Sequence, residues 1–141
     1  MSYLTAAPID REDLVRLETE ALGCAGAVVT FAGLVRADRQ DGRTVTALNY
    51  EAYVPMAERQ IRHLIAQTRA RWSLEAVSVR HRVGLVEAGQ ISLVVVVAAP
   101  HRAEAYAASQ FLIERIKHEV PIWKHECYDD ADAVEDFHAH V

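Results

Sequence analysis

The side chains best suited to chemistry in this sequence are cations arranged around one predicted helix. His101 and Arg102 stand at its start, Lys117 lies near its end, and Lys124 follows shortly afterwards. Arginine binds phosphate through two parallel hydrogen bonds, and lysine acts as a point charge. Together with Arg36 further upstream, these residues predict an anion site. Each alone is more simply a surface cation, so the prediction rests on their clustering.

Other kinds of chemistry have weaker support in the sequence. Cys24 and Cys127 lack a paired-cysteine spacing, and we interpret Cys24 as a small buried residue. No serine lies in a G-x-S-x-G turn, and the segment GLVEAGQ lacks the lysine of a phosphate-binding loop. Several histidines gather near the C-terminus without the array of a zinc site, so we predict no metal. These histidines are His118, His125, His138 and His140.

The helix that carries the cations shows a regular apolar stripe. Pro121 lacks an amide hydrogen and restricts the preceding residue, which predicts a helix end near Glu119. Spacings of three or four residues place the apolar side chains on one face. The stripe consists of Ala105, Ala108, Leu112 and Ile116.

The length of this helix poses a geometric difficulty. His101 and Lys117 are 16 residues apart, which is roughly 24 Å at 1.5 Å per residue. A compact ligand cannot touch both ends. Either the two ends serve different sites, or two copies of the chain pair so that His101 and Arg102 of one copy approach Lys117 of the other. We favour the second arrangement, a homodimer with two equivalent composite sites.

The remaining sequence predicts an α+β domain with a mainly antiparallel sheet and three principal helices. Two pairs of neighbouring strands resemble hairpins, and the strand order stays open. The last strand is apolar on both faces, which indicates a central position. Arg39 and Arg43 are interpreted as a solvated hairpin tip beside the Asp41-Gly42 turn. The predicted ranges are a helix at 10–21, strands at 27–33 and 44–53, a helix at 55–72, and strands at 76–82 and 90–99.

Composition limits the class of protein. A chain of 141 residues with 51% hydrophobic content is expected to form a single domain over residues 1–141. A formal net charge of −5 argues against general nucleic-acid binding. The N-terminus lacks the pattern of a signal peptide, and the longest apolar run, 91–99, is too short to span a membrane. We therefore expect a cytoplasmic protein.

Four stretches of sequence resemble one known family. They are GAVVTFAGLVR (26–36), LNYEAYVPMAE (48–58), HRVGLVEAGQISLVVVV (81–97) and the segment from HRAEAY to VPIWKHE (101–126). In this order they resemble the large, catalytic subunit of molybdopterin synthase, the MoaE family. The family fold is an α/β hammerhead, which fits the predicted α+β architecture.

The resemblance implies a sulfurtransferase of molybdenum cofactor biosynthesis. Its substrate would be cyclic pyranopterin monophosphate. Its partner would be a small ubiquitin-like sulfur carrier that inserts a C-terminal Gly-Gly thiocarboxylate. Two sulfurs would be transferred in turn to form the dithiolene, without a resident cofactor. The expected assembly is a homodimer within a heterotetramer, with no nucleic acid and no membrane.

The resemblance also implies site residues. Lys117 and Lys124 correspond to the functional lysines: Lys117 would stabilise the oxyanion formed at the thiocarboxylate and assist proton transfer, and Lys124 would assist. Glu126 would orient Lys124, while Arg36 with the His101-Arg102 pair would hold phosphate and pterin. The full set of expected substrate-binding residues is Phe31, Leu34, Val35, Arg36, His101, Arg102, Lys117, Lys124, His125 and Glu126.

Two departures from the family and two alternative functions remain open. His125 stands where relatives often have another basic residue, and the acidic C-terminal tail offers no basic side chain. The main alternative is a non-catalytic module that docks a ubiquitin-like partner through Ile122 and Trp123. A metal-dependent hydrolase would rest only on the C-terminal histidines.

Overall fold

The computed structural model describes residues 2–20, 23, 25–129 and the backbone of 136–138. Three helices and nine strands occur in this part of the chain. Ala21 and Cys24, for which a helical and a buried position were predicted, lie outside the described residues. The helices are α1 (Arg11–Thr19), α2 (Val54–Arg71) and α3 (Arg102–Glu119). The strands are β1 (Leu4–Thr5), β2 (Ala27–Leu34), β3 (Arg39–Gln40), β4 (Arg43–Ala52), β5 (Ala76–Arg82), β6 (Gly84–Glu87), β7 (Ile91–Ala99), β8 (Ile122–Tyr128) and β9 (Asp136–His138).

The strands form two sheets. The first has the order β1-β5-β7-β2 and is antiparallel except for the parallel pair β1–β5. The second has the order β3-β4-β8-β9, with β6 also pairing with β4. The predicted α+β class is confirmed, and the sheets are mainly antiparallel as expected.

The first of the two hairpin-like pairs, the predicted strands at 27–33 and 44–53, does not form a hairpin. β2 pairs with β7, and β4 pairs with β6 and β8, so the two neighbouring strands belong to different sheets. The Asp41-Gly42 turn instead joins β4 to the short β3, and both of its residues have positive φ, 51° and 77°. Local turn residues identified a hairpin correctly but could not identify the long-range partner of β2.

Burial on both faces of β7 explains its apolar run from Leu93 to Ala99. Val94 and Val96 pack with Leu17 of α1 on one face. Val95 and Val97 belong to the larger core on the other face, where α2 and α3 lie. The predicted central position of this strand is confirmed, because both faces of β7 are covered and both of its edges are paired.

Local sequence rules account for the helix ends. Asp10 caps α1 through a reciprocal pair of hydrogen bonds with Asp13. α2 begins at Val54 with Pro55 in its first turn. α3 ends at Glu119, as Pro121 predicts, and its apolar stripe is fully buried. No helix among the described residues has the length and apolar character that crossing a membrane requires.

A close backbone contact fixes the start of α3. The Gly26 N–H donates to the Ala99 carbonyl at 3.0 Å. A Cβ at Gly26 would lie 2.1 Å from the carbonyl oxygen of Pro100, closer than two such atoms can approach. Glycine at this position therefore allows β2 to begin directly beside the segment that leads into His101.

Candidate active site

A cavity of about 220 Å³ lies where the end of β2, the sheet strands β4 and β8, and the last turn of α3 meet. Elements that are distant in sequence thus contribute side chains to one cavity. Its lining residues are Phe31, Gly33, Leu34, Arg36, Asp38, Val45, Leu48, Tyr50, His81, Ser92, Leu93, Lys117, Lys124 and Glu126.

Lys117 projects from the last turn of α3. The buried stripe ends at Ile116, so the next residue turns away from the core and is exposed at the cavity. The helix C-terminus carries partial negative charge, which favours an ammonium group there. The helix therefore delivers a cation to the cavity with a fixed backbone position.

Lys124 and Glu126 reach the same cavity from β8, because alternate residues of a strand point to the same face. His125 lies on the opposite face. Its Nε2 is 3.5 Å from a carboxylate oxygen of Glu51 on the neighbouring strand β4. The alternation of β8 thus separates His125, a predicted substrate-binding residue, from Lys124 and Glu126.

Glu126 is held by a tyrosine. The Tyr128 hydroxyl donates to Glu126 Oε2 at 2.5 Å, and the guanidinium of Arg43 stacks 4.0 Å from the centre of the Tyr128 ring. Arg43 flanks the hairpin turn as interpreted, but it is half-buried over an aromatic ring rather than fully solvated. Arg39 is exposed, as interpreted.

The end of β2 contributes Phe31 and Leu34 to the cavity, and the segment that follows it contributes Arg36. The pairing of β2 with β7 shifts register between Gly33 and Leu34, which leaves Leu34 56% exposed. Val35 is buried in the core instead, with its backbone bonded to the Gln90 carbonyl. Arg36 forms an exposed ion pair with Asp38 at 3.3 Å.

His101 and Arg102 lie at the far end of α3 and do not line this cavity. Both side chains are exposed. Within one chain, the structure therefore brings together six of the ten predicted substrate-binding residues. Those six are Phe31, Leu34, Arg36, Lys117, Lys124 and Glu126.

Sequence reasoning missed the residues at the floor of the cavity, namely Tyr50, His81 and Ser92. All three are buried. A signal for His81 did exist: on β5 it follows Val77 and Val79 in the inward-facing alternation, so a polar side chain occupies a core position. Burial is the main cause that lowers the pKa of His81 to about 4, and the positive charge of Lys117 acts in the same direction. Burial also raises the pKa of Tyr50, and a hydrogen bond with Ser92 partly offsets this by lowering it.

The chemistry of the cavity is that of anion binding and charge stabilisation. Three cations from different parts of the chain, Arg36, Lys117 and Lys124, outnumber the carboxylates of Asp38 and Glu126 around an uncharged polar floor. Among the described side chains, no group of three His, Cys, Asp or Glu is arranged to hold a metal ion. The side chains of His138 and His140, on which the hydrolase alternative rests, lie outside the described residues.

Fold and cavity together define a class of protein: a two-sheet α+β domain with a small cationic pocket beside the C-terminus of α3. Residues 4–119 match the family described as MoaE protein. The chain belongs to this family.

Relatives of the same family carry a functional name. The chain is 39% identical over 131 residues to the molybdopterin synthase catalytic subunit of Nostoc sp., an alignment that covers 92% of this chain and 78% of the relative. The corresponding protein of Bacillus subtilis is 36% identical, with 92% and 80% covered. The X-ray structure of molybdopterin synthase from Staphylococcus aureus superposes with a TM-score of 0.86 at 34% identity and covers 98% of this chain and 96% of its own.

Proposed function

We propose that this chain is the catalytic subunit of a molybdopterin synthase, a sulfurtransferase that acts on cyclic pyranopterin monophosphate. The observation that carries the proposal is the convergence of Arg36, Lys117 and Lys124 from three separate parts of the chain on one cavity, in a member of the MoaE family. A phosphate-bearing substrate supplies the anion that such a site requires.

The sulfur arrives on a second protein, a small ubiquitin-like carrier with a C-terminal Gly-Gly thiocarboxylate. The relatives are named catalytic subunits, which implies that their enzymes contain a further subunit. Cys127 is half-buried on β8 and alternates with Glu126, so it lies on the strand face opposite the cavity. Sulfur delivery by the partner is consistent with this position, because it requires no thiol from Cys127.

Lys117 and Lys124 act on the charge that develops during transfer. When the thiocarboxylate sulfur bonds to a side-chain carbon of the pterin, the C–O bond at that carbon breaks and its oxygen leaves with the bonding electrons. The carrier then remains attached through an acyl–sulfur bond. Attack of water on that acyl carbon frees the carrier as a carboxylate and passes through a tetrahedral oxyanion. A cation placed beside this oxygen stabilises the transition state more than the ground state. Lys117 performs this role, and Lys124 assists it.

The substrate is held by two copies of the chain. His101 and Arg102 lie at the opposite end of α3 from Lys117, so a single chain cannot bring them to one ligand. A two-fold dimer that juxtaposes opposite ends of two α3 helices supplies both sets to each site. The complete assembly is a heterotetramer of two such chains and two carriers, in which residues 1–141 act as one domain in the cytoplasm without a resident cofactor.

One of the two residues proposed as surface contacts in the docking-module alternative is buried. Ile122 is fully buried in the core and presents no surface to a partner, while Trp123 is half-buried. The alternative also gives no function to the cations of the cavity.

Turnover with the two proposed substrates tests the function directly. The chain is incubated with cyclic pyranopterin monophosphate and a thiocarboxylated small subunit, and the dithiolene product is detected. We expect Lys117→Ala to lower kcat by about 10²–10³-fold, the usual effect of removing a group that stabilises an oxyanion, while the small subunit still binds. Arg62→Ala removes an exposed cation from the outer side of α2 and serves as the matched control with unchanged turnover. Absence of product with the wild-type chain contradicts the proposed function.

A further inference from the structure

The charged and the uncharged side chains lie in different parts of the cavity, and the proposed function assigns no role to the uncharged part. Cations and carboxylates lie around it, whereas its floor consists of Tyr50, His81 and Ser92. Lysine and arginine side chains only donate hydrogen bonds. A ligand with N–H groups as well as an anionic group therefore needs an acceptor from another part of the cavity.

The imidazole of His81 is fixed in place. Its Nδ1 lies 2.7 Å from the Arg82 carbonyl oxygen. Because a carbonyl oxygen only accepts, Nδ1 carries the proton of this hydrogen bond. The ring also makes an edge contact with Tyr50, with centroids 5.2 Å apart and planes inclined by 78°. The side chain is only 1% exposed, so it cannot turn to another orientation without disturbing the core.

The other ring nitrogen, Nε2, is the acceptor. With the proton on Nδ1, a neutral imidazole keeps its lone pair on Nε2. No hydrogen bond to Nε2 is found among the described residues. A protonated imidazole would be a buried cation in the neighbourhood of Lys117, and burial opposes this state.

The other acceptors of the cavity are carboxylates, which carry charge, or hydroxyls, which rotate. The Glu126 carboxylate accepts from Tyr128, and the Asp38 carboxylate is paired with Arg36. The Ser92 hydroxyl donates to the Gly33 carbonyl at 3.2 Å. Among these groups, His81 is the one that combines a fixed ring with a neutral acceptor atom.

We propose that His81 is a substrate-binding residue whose Nε2 accepts a hydrogen bond from an N–H group of the substrate's pterin ring system. The assignment rests on the proposed function for the identity of the ligand. It also gives the substrate one orientation in the site. The cations hold the phosphate end, and the neutral floor holds the heterocycle. The bond fixes the rotation of the ring about the phosphate anchor, which presents one side-chain carbon to the incoming sulfur.

Two isosteric variants separate binding from a structural role. In His81→Asn, the amide nitrogen replaces Nδ1 and keeps the bond to the Arg82 carbonyl, but no acceptor replaces Nε2. In His81→Gln, the amide oxygen reaches the position of Nε2. We expect the Asn variant to raise KM and Kd for cyclic pyranopterin monophosphate about 10–100-fold, as expected for the loss of one buried hydrogen bond. The Gln variant is expected to stay within about fivefold of wild type by the same reasoning.

Controls distinguish a local effect from general damage. Thermal unfolding establishes that both variants are folded, and the affinity for the small subunit is expected to be unchanged. His63→Asn alters a histidine on the outer side of α2 that bonds to Gln67 and lies away from this cavity, and it leaves KM unchanged. If the Asn variant keeps the wild-type KM, or the Gln variant is the more damaged of the two, the role of His81 is structural and the assignment is overturned.

A measurement on the wild-type chain covers the case in which neither variant folds. With ¹⁵N-labelled histidine, addition of cyclic pyranopterin monophosphate is expected to shift the Nε2 resonance of His81 upfield and to leave its Nδ1 resonance in place. An unchanged Nε2 resonance at saturating ligand overturns the assignment. If the wild-type chain turns over its substrates but the Nε2 resonance of His81 does not shift, only this inference is overturned. If the wild-type chain shows no turnover, the proposed function is overturned and the inference with it.

Discussion

Individual side chains in the cavity owe their properties to surroundings that differ over a few ångströms. Lys117 is exposed at the C-terminal end of α3, where it lines the cavity. His81 lies in the core, where burial holds the imidazole neutral. The lysines could be predicted from the sequence because they belong to motifs that resemble a family. The neutrality of His81 could not, since it depends on which strands and helices cover β5.

The low pKa of His81 predicts how stability depends on pH. The pKa is about 4 in the folded chain and about 6.5 for an unperturbed histidine. Between these values the unfolded state binds a proton that the folded state does not. The free energy of unfolding is therefore largest above pH 6.5 and falls by about 3 kcal/mol as the pH decreases to 4.

Urea denaturation of the wild type and of His81→Gln between pH 4 and pH 8 measures this dependence. The difference in the free energy of unfolding between the two proteins isolates the contribution of His81 from that of the other histidines. This difference is expected to be constant above about pH 6.5. Asp13, whose pKa is lowered mainly by its bond with the Asp10 backbone, titrates below this range. Parallel curves for the two proteins would show that His81 makes no such contribution.

The element that organises the site is α3, which has a buried face and two charged ends. Its apolar stripe packs against β7, β2 and α2. Helical periodicity and Pro121 determine its length locally, and this is why the sequence predicted it well. Strand pairing is different: β6 and β8 were not identified as strands, because their edges are completed by β4, which is distant in the chain.

Substitution in the stripe measures what holds α3 in place. Leu112 is fully buried in the main core. Leu112→Ala is expected to lower the free energy of unfolding by about 2–5 kcal/mol, because the lost contacts are accompanied by a cavity. Gln110→Ala, at an exposed position two residues earlier, is expected to change it by about 0.5 kcal/mol or less. Equal effects in chemical denaturation would contradict the packing described for α3.

At the scale of the whole molecule, the proposed site is complete only in a dimer. The cavity of one chain contains Arg36, Lys117 and Lys124 but neither His101 nor Arg102. A rigid helix separates the two sets by roughly 24 Å, a distance that side-chain motion cannot close. The proposed two-fold axis turns this separation into two equivalent sites.

Mixed dimers test the shared site. Chains with His101→Ala and chains with Lys117→Ala, each inactive alone, are combined with different affinity tags and the heterodimer is isolated. One of its two sites then receives an intact Lys117 from one chain and an intact His101 from the other. We expect about half of the wild-type activity per dimer, since the second site carries both defects. A heterodimer as inactive as its parents would contradict a site shared between chains.

The sequence alone determined the helices, the central β7 strand, the α+β class and the resemblance that led to the family. These features follow from local periodicity, turn and cap residues, and contiguous motifs. Tertiary structure decided which strands pair, that His125 faces away from Lys124, and that His81 and Tyr50 form the floor of the cavity. Each of these depends on contacts between residues far apart in the chain, and the free energy of such contacts is set by packing and burial rather than by neighbouring residues in sequence.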